Sequence, residues 1–212
     1  MNIFLGKNVD VLQVMHEVLG VDRAVAEFRP NLVQMKEYCD RYKIDFRELL
    51  PGRSLSDVLP PRCDLVVIAS FATILKQGVI DRCKLILNFH GGLVQSCRGR
   101  HPLPSAILNQ HKFMGITCHV IDSEKIDEGP VVGQILAPLD YQASFRVNDQ
   151  RLAAMFPPLA RAVLDEYSEA GRVVAEPVDL DPGGYFPPVE QLTMDQMFAA
   201  RSLAEFVAKF NS

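Results

Sequence analysis

Two continuous apolar runs in the middle of the chain constrain its fold more than any other feature. The run "DLVVIASF" (64–71) is rich in β-branched residues, and "LILNF" (85–89) follows it after a short predicted helix over 76–82. Uninterrupted apolar strands of this kind are typical of sheets that are buried on both faces. Because they alternate with helices, they indicate a parallel sheet, in which ligands bind at the carboxyl ends of the strands.

The same alternation continues toward both ends of the chain. Apolar periodicity predicts further strands over residues 1–5, 24–28, 44–46, 115–122 and 130–139. It predicts helices over 9–19, over 31–41 with Asn31 as its cap, over 152–167 and over 195–210, and a further helix that ends at residue 110. Pro157 and Pro158 must kink or restart the helix over 152–167. These elements predict the α/β class, with a doubly wound, mostly parallel sheet and a small C-terminal appendage.

Composition narrows the classes of partner. The 212 residues are 48% hydrophobic, which is enough for a substantial core. A formal net charge of −4 disfavours nucleic acid, because proteins bind phosphates mainly through Lys and Arg. The five cysteines lack CxxC spacing and follow no export signal, which indicates reduced thiols and a cytoplasmic location. No apolar run approaches the roughly 18 residues that span a bilayer, so we expect no membrane partner. The acidic charge balance makes a small-molecule substrate the expected partner.

The stretch "LNFHGGLVQSCRGRHPL" (87–103) begins at the carboxyl end of a predicted strand and allows three chemistries. A metal site would use His90, Cys97 and His101, but their spacing matches no compact zinc motif, so no metal is expected. A phosphate cradle would use the exposed N–H groups of the glycines and the forked side chains of the Arg-Gly-Arg run. Its residues would be Gly91, Gly92, Arg98 and Arg100.

The third chemistry is acyl transfer. Asn88 and His90 stand two residues apart on a strand, so both side chains point to the same side and can face one oxygen atom. Such a site also needs a carboxylate to orient the histidine and handle protons. The loop "DSEKIDEGP" supplies four acids, which the residues alone do not distinguish from solvated surface charges: Asp122, Glu124, Asp127 and Glu128.

Five ordered motifs favour the acyl-transfer interpretation over solvated surface charges. The chain reads "ASFATIL", "NFH", "RGRHPL", "GITCH" and "KIDEGPVVGQ" between about residues 64 and 138. In this order the motifs resemble the formyltransferases that use 10-formyltetrahydrofolate, a family that acts on glycinamide ribonucleotide, methionyl-tRNA and nucleotide-linked amino sugars. The resemblance implies a Rossmann-like formyltransferase fold, and we place the catalytic domain over 1–170. From Gly171 the composition shifts to Pro and Gly, which predicts a C-terminal extension over 171–212.

The resemblance also implies roles for particular residues. Asn88 and His90 would stabilise the oxyanion formed when an amine attacks the formyl carbon, and Asp127 would orient the histidine and relay protons. The residues implied to contact the folate donor are Phe71, Ile74, Leu75, Ile126 and Gly129. Those implied to contact the acceptor are Gly91, Gly92, Arg98 and Arg100. Thr117 and His119 also fit the family pattern, and we expect both to be structural hydrogen-bonding residues.

Departures from the family pattern bear on the acceptor. After the first strand the chain has a single glycine, Gly6, which disfavours the phosphate loop of glycinamide ribonucleotide enzymes. "GGLV" stands where the family usually has "SLLP", whereas "RGRHPL" and "GGYFPP" (183–188) look most like the sugar branch. We therefore expect a nucleotide-linked amino sugar as acceptor. Glycinamide ribonucleotide, another small amine or hydroxylamine, and a catalytically silent folate-binding module remain the alternatives.

The last residues of the chain are too apolar to remain in water. Met194, Met197, Phe198, Leu203, Phe206 and Val207 all fall in the predicted terminal helix or just before it. We expect them to pack against the body of the protein or against a second subunit, as in a homodimer.

Overall fold

The computed structural model describes residues 1–29 and 32–210, so the predicted cap Asn31 lies outside the described residues. The strands are β1 (Asn2–Gly6), β2 (Arg23–Glu27), β3 (Asp45–Leu49), β4 (Cys63–Ala69), β5 (Cys83–His90), β6 (Arg98–Gly99), β7 (Phe113–Val120), β8 (Val131–Pro138) and β9 (Tyr185–Phe186). The α-helices are α1 (Val9–Leu19), α2 (Val33–Tyr42), α3 (Gln77–Ile80), α4 (Pro102–Leu108), α5 (Phe145–Ala153), α6 (Phe156–Ala170), α7 (Gln191–Ala199) and α8 (Leu203–Phe210). None of the helices in these two ranges is long and apolar enough to cross a membrane.

Seven strands form one sheet in the order β3-β2-β1-β4-β5-β7-β8. The first five of these are parallel, whereas β7 runs antiparallel to β5 and β8 antiparallel to β7. The loop between β7 and β8 contains no helix, and only antiparallel neighbours can be joined without a crossover. The prediction of a mostly parallel α/β sheet is confirmed.

Alternation along β1 shows why the sheet is buried on both faces. Phe4 belongs to the core cluster on one face, whereas Ile3 and Leu5 belong to the cluster on the other. Along β4, Val67 and Val66 divide between the two clusters in the same way. The continuous apolar runs that predicted a doubly covered sheet are therefore explained.

Two expectations about the helices have different outcomes. The long helix does restart at the prolines: α5 ends at Ala153 and α6 begins at Phe156, with proline in its first turn. The prediction of a single terminal helix over 195–210 was wrong. The chain forms two helices there, α7 and α8, which are separated at Ala200, where the backbone is extended. The first N–H groups of α8 bond instead to carbonyl oxygens of the segment 141–143, which fixes a new helix start there.

The C-terminal extension shares the core of the preceding residues. Met197, Leu203 and Phe206 are 0–3% exposed and lie in the cluster that contains Phe4. A second, two-stranded sheet pairs β6 with β9, so that the extension returns to the stretch that the sequence selected as a candidate site.

Candidate active site

The carboxyl end of β5 places Asn88 and His90 on the same side of the strand. β5 lies between β4 and β7, and the register with β7 sets His119 opposite Asn88 and Thr117 opposite His90. His90 is 8% exposed and His119 only 1%. The predicted pair therefore gains a third polar side chain, His119, which had been expected to serve only as a structural hydrogen-bonding residue.

Asp127 reaches this pair from the loop between β7 and β8. Its own backbone is left-handed, with φ of 54°. A Cβ on Gly129 would lie 1.7 Å from the carbonyl oxygen of Val120, so glycine is required for the loop to fold back onto β7. The other acids of the loop point elsewhere: Glu124 bonds to Lys76 and to the N–H of Gln77, Glu128 pairs with Lys125, and Asp122 is exposed.

Four polar groups surround the Asp127 carboxylate, which is 11% exposed. Its Oδ1 accepts a hydrogen bond from Nδ2 of Asn88 at 3.3 Å and lies 3.4 Å from Nε2 of His119. Its Oδ2 accepts a hydrogen bond from the backbone N–H of Gly99 at 3.0 Å and lies 3.5 Å from Nδ1 of His90. The partners come from β5, β6 and β7, so this cluster is assembled only by the folded sheet.

The surroundings of Asp127 keep it ionised. Burial raises the pKa of this carboxyl, but the facing imidazole of His90 and the Gly99 N–H lower it more, to about 2. A buried negative charge in this position stabilises positive charge on a neighbouring imidazole. The cluster therefore places a fixed negative charge beside two imidazoles and the amide of Asn88.

Backbone carbonyls orient both imidazoles. His90 Nε2 lies 2.9 Å from the carbonyl oxygen of Cys97, and His119 Nδ1 lies 3.2 Å from that of Val120. Because a carbonyl only accepts, each of these nitrogens is assigned a proton. His119 Nε2 then accepts from Nδ2 of Asn88 at 3.0 Å. Both amide hydrogens of Asn88 thus have partners inside the cluster.

Two of the four predicted acceptor residues are buried behind the cluster. A Cβ on Gly92 would lie 2.7 Å from Nε2 of His90, so glycine here makes room for the imidazole and does not form a phosphate cradle. Arg98 is 4% exposed, and its guanidinium donates to backbone carbonyls. Of the four, Gly91 is half-buried and Arg100 is exposed, and these two are accessible to a ligand.

The predicted donor residues differ in accessibility. Leu75 is 5% exposed and belongs to a core cluster, whereas Ile74 in the same loop is 50% exposed. The remaining three, Phe71, Ile126 and Gly129, are half-buried. Ile74 and Phe71 are therefore the residues of the loop after β4 that present apolar surface to a ligand.

Carboxylates from two other segments hold the loop after β4. Glu27, the last residue of β2, accepts hydrogen bonds from the N–H of Ala72 at 3.2 Å and from the hydroxyl of Thr73 at 2.7 Å. At the far end, Glu124 accepts from the N–H of Gln77 at 2.8 Å. These bonds and the buried side chain of Leu75 hold the loop, and Ile74 between them stays exposed.

The candidate metal ligands are bonded to separate partners. The Cys97 thiol donates to the carbonyl oxygen of Pro102 at 3.0 Å, and His101 Nδ1 accepts from the N–H of Val189 at 3.1 Å. Burial raises the pKa of the Cys97 thiol to about 12, so it stays protonated at neutral pH, which disfavours it as a nucleophile. Over residues 1–29 and 32–210, no three His, Cys, Asp or Glu side chains are grouped to hold a metal ion.

Comparison with known proteins places this geometry in a family. The family described as formyl transferase matches residues 6–155. The methionyl-tRNA formyltransferase of Streptococcus sanguinis is 26% identical over 172 residues, which cover 77% of this chain and 55% of that protein. The methionyl-tRNA formyltransferase of Roseiflexus castenholzii is 31% identical over 127 residues, covering 59% and 40%. The chain spans about half the length of the curated relatives it matches.

Solved structures share the fold. WlaRD, a sugar 3N-formyl transferase crystallised with dTDP and 5-N-formyl-THF, superposes with a TM-score of 0.70 at 15% identity, covering 88% of this chain and 69% of that one. Glycinamide ribonucleotide transformylase 1 from Symbiobacterium toebii superposes with a TM-score of 0.69 at 18% identity, covering 85% and 94%. At these identities the likeness establishes the fold alone.

Proposed function

The chain belongs to the formyl transferase family, and from that premise we propose that it transfers a formyl group from 10-formyltetrahydrofolate to a primary amine. The observation that carries the proposal is the assembly of Asn88, His90 and Asp127, from a strand and a distant loop, with 3.3 to 3.5 Å between the carboxylate and its two partners. A protein that only bound folate would have no need of this buried, charged arrangement, since groups with shifted pKa values cluster at functional sites.

In the proposed reaction the acceptor nitrogen attacks the formyl carbon. The bond from that carbon to N10 of the folate breaks, the acceptor amine loses one proton, and N10 gains one. The developing oxyanion needs preorganised donors, and one such donor is typically worth about 2.7 to 4 kcal/mol of barrier. We assign the donated hydrogen bond to Asn88, and to His90, whose ring nitrogens face Cys97 and Asp127, the task of placing its imidazole beside the oxyanion.

The structure favours a particular division of labour between these groups. Because the pKa of Asp127 is about 2, its carboxylate is a weak base at neutral pH, and we assign it the task of orienting the imidazole of His90. The 3.3 Å bond from Asn88 to Asp127 is the longer of the two that the amide donates. A formyl oxygen would therefore replace the hydrogen bond to Asp127 at a smaller cost in free energy than the bond to His119. His119 then keeps the amide oriented through its other hydrogen.

For the acceptor we propose a nucleotide-linked amino sugar. The loop after β1 has few free donors for a ribonucleotide phosphate, because the N–H groups of Lys7 and Asn8 both bond to the carbonyl oxygen of Ala69. The exposed Arg100 beside the cluster supplies a positive charge that suits a nucleotide diphosphate. The net charge of −4 favours such a small acceptor over tRNA, the substrate named for the curated relatives.

The test is a turnover assay with a panel of acceptors. The protein is mixed with 10-formyltetrahydrofolate and, in separate reactions, with nucleotide-linked amino sugars, glycinamide ribonucleotide, hydroxyornithine or methionyl-tRNA, and release of tetrahydrofolate is followed. Release that depends on an amino sugar supports the proposal in full, and release with another acceptor reassigns the substrate. Release without any amine indicates hydrolysis. Donor binding without release by any route would show a silent folate-binding module.

The predicted division into a catalytic domain over 1–170 and an extension over 171–212 is retained as a proposal, as is a homodimer. A ligand screen by thermal shift identifies the acceptor independently of turnover, because a ligand that binds only the native state raises its stability. Light scattering on the purified protein measures its mass and decides between monomer and dimer.

A further inference from the structure

A short C-terminal segment, Asp181–Phe186, folds back onto the residues just before β6, and we call it the clasp. The N–H of Asp181 donates to the carbonyl oxygen of Gln95 at 2.8 Å, and the N–H of Arg98 donates to that of Gly184 at 2.7 Å. The clasp contains β9, whose Phe186 is in register with Gly99. Residues more than eighty positions apart are therefore joined next to the cluster around Asp127.

Arg98 fixes this junction from inside. Its Nη2 donates to the carbonyl oxygen of Asp181 at 2.8 Å, and its Nη1 donates to that of Val94 at 2.8 Å. The side chain is 4% exposed, and within the described part of the chain it makes no ion pair with a carboxylate. Burying a charge among carbonyls alone is costly. The planar fork of arginine reaches both carbonyls at once, which the single ammonium of lysine cannot reproduce.

Gly99 lies between the clasp and the carboxylate of Asp127. Its N–H donates to Oδ2 of Asp127 at 3.0 Å. Its backbone has φ of +107°, and a Cβ at this position would lie 2.2 Å from the carbonyl oxygen of Phe186. The glycine is therefore held between the clasp on one side and the Asp127 carboxylate on the other, and a displaced clasp displaces its N–H.

We propose that Arg98 and the clasp are positioning elements of the active site: they hold the Gly99 N–H on the carboxylate of Asp127, so that the C-terminal extension takes part in catalysis without touching substrate. This rests on the proposed formyl transfer for its kinetic consequence. The other groups that face Asp127 are Asn88 and His90 from β5 and His119 from β7, and within the described residues none of them hydrogen-bonds to the clasp.

Adjacent glycines offer a matched pair of variants. A Cβ on Gly184 would lie 2.9 Å from the Cα of Ser96 and 3.1 Å from the carbonyl oxygen of Gln95, so Gly184→Ala pushes the clasp away from the loop. A Cβ on Gly183 would meet only a carboxylate oxygen of Asp181, at 3.4 Å, so Gly183→Ala is the control. Arg98→Lys is the third variant, because it keeps the charge and removes the fork.

The first measurement does not depend on turnover. In ¹H–¹⁵N spectra the Gly99 amide resonance of the wild type is identified by its movement in Asp127→Asn. We expect Gly184→Ala and Arg98→Lys to move that resonance in the same sense, with the core resonances unchanged, and Gly183→Ala to leave it in place. An unmoved Gly99 resonance in a folded Gly184→Ala variant would overturn the proposal, whether or not Arg98→Lys folds.

The second measurement is kinetic. With an active acceptor, Gly184→Ala and Arg98→Lys should lower kcat about tenfold and leave the donor KM within about twofold, because a small misplacement of a catalytic group acts on the chemical step. Equal kcat values for Gly184→Ala and Gly183→Ala would contradict the positioning role. If the wild type turns over no acceptor, the proposed function fails, and the amide spectra still decide whether the clasp positions Gly99.

Discussion

Two loops at the carboxyl edge of the sheet differ in how their side chains are held. The loop that carries Asp127 is fixed from within, because its carboxylate has four partners and Gly129 lies against the backbone of β7. The loop after β4 is held by Glu27, by Glu124 and by the buried side chain of Leu75, and it leaves Ile74 half in solvent. Under the proposed function, the difference separates a preorganised chemical centre from a binding surface for the donor.

This separation has a physical basis. Electrostatic stabilisation of a transition state requires groups that are already in place, since reorganisation during the reaction costs free energy. A surface that binds a large aromatic donor gains mainly from apolar contact and tolerates small movements. Changes in the Asp127 loop should therefore act on kcat, and changes in the loop after β4 on the donor KM.

The largest expected effect comes from removing a member of the cluster. Asp127→Asn and His90→Ala should each lower kcat by about 10²- to 10⁴-fold, because a positioned acid, base or oxyanion donor contributes that much. Steady-state assays with saturating donor and acceptor measure the loss, and circular dichroism checks that the fold is intact. Near-native kcat in both variants would remove the cluster from the mechanism.

The next effect is on stability and depends on pH. The pKa of Asp127 is about 2 in the folded protein and near 3.8 in the unfolded chain, so the unfolded state binds the proton more tightly. The ionised carboxylate therefore contributes about 2 kcal/mol above pH 3.8, and this is lost as the pH falls through 3.8 toward 2. Urea unfolding of wild type and Asp127→Asn should differ most at neutral pH and converge in acid. A difference that is independent of pH would contradict the assignment.

A smaller effect is expected from the open loop. Ile74→Ala should raise the donor KM about tenfold and leave kcat unchanged, because the substitution removes apolar surface worth roughly 1 to 2 kcal/mol from the binding face. Leu192→Ala on α7 is the control, since Leu192 is an aliphatic residue that is 68% exposed. A fall in kcat with an unchanged donor KM in Ile74→Ala would place this residue in the chemical centre instead.

The smallest effect concerns the carboxylate that holds the open loop. Glu27→Gln weakens the bonds to Ala72 and Thr73 and should raise the donor KM about threefold, since a single hydrogen bond is worth about 1 kcal/mol or less near solvent. Isothermal titration with the donor measures the change directly. Unchanged donor affinity would show that the loop does not depend on Glu27 for its shape.

Local sequence patterns predicted much of the fold and part of the candidate site. The β-branched run over 64–71 predicted a strand buried on both faces, and the spacing of Asn88 and His90 predicted that they share a side, because a strand repeats every two residues. Asp127 was distinguished from its acidic neighbours only by resemblance. Nothing in the four acids themselves shows that the turn toward β5 occurs at this residue.

The remaining features depend on contacts between distant segments. His119 joins the cluster because the register of β7 on β5 sets it opposite Asn88, and a shift of one residue would turn it to the other face. Arg98 was expected to contact substrate, but the clasp, which arrives from residues 181–186, buries its guanidinium. Neither the strand register nor the return of the C-terminal segment is visible in the local sequence.

We propose above all that the cluster around Asp127 moves a formyl group onto an amine. The most direct measurement uses donor with an isotopically labelled formyl group, incubated with an amino-sugar nucleotide and followed by mass spectrometry of the acceptor. We expect label on the acceptor with the wild type and at least about 10²-fold less with Asp127→Asn. Label found only in formate, or equal labelling of the acceptor by both proteins, would contradict the claim.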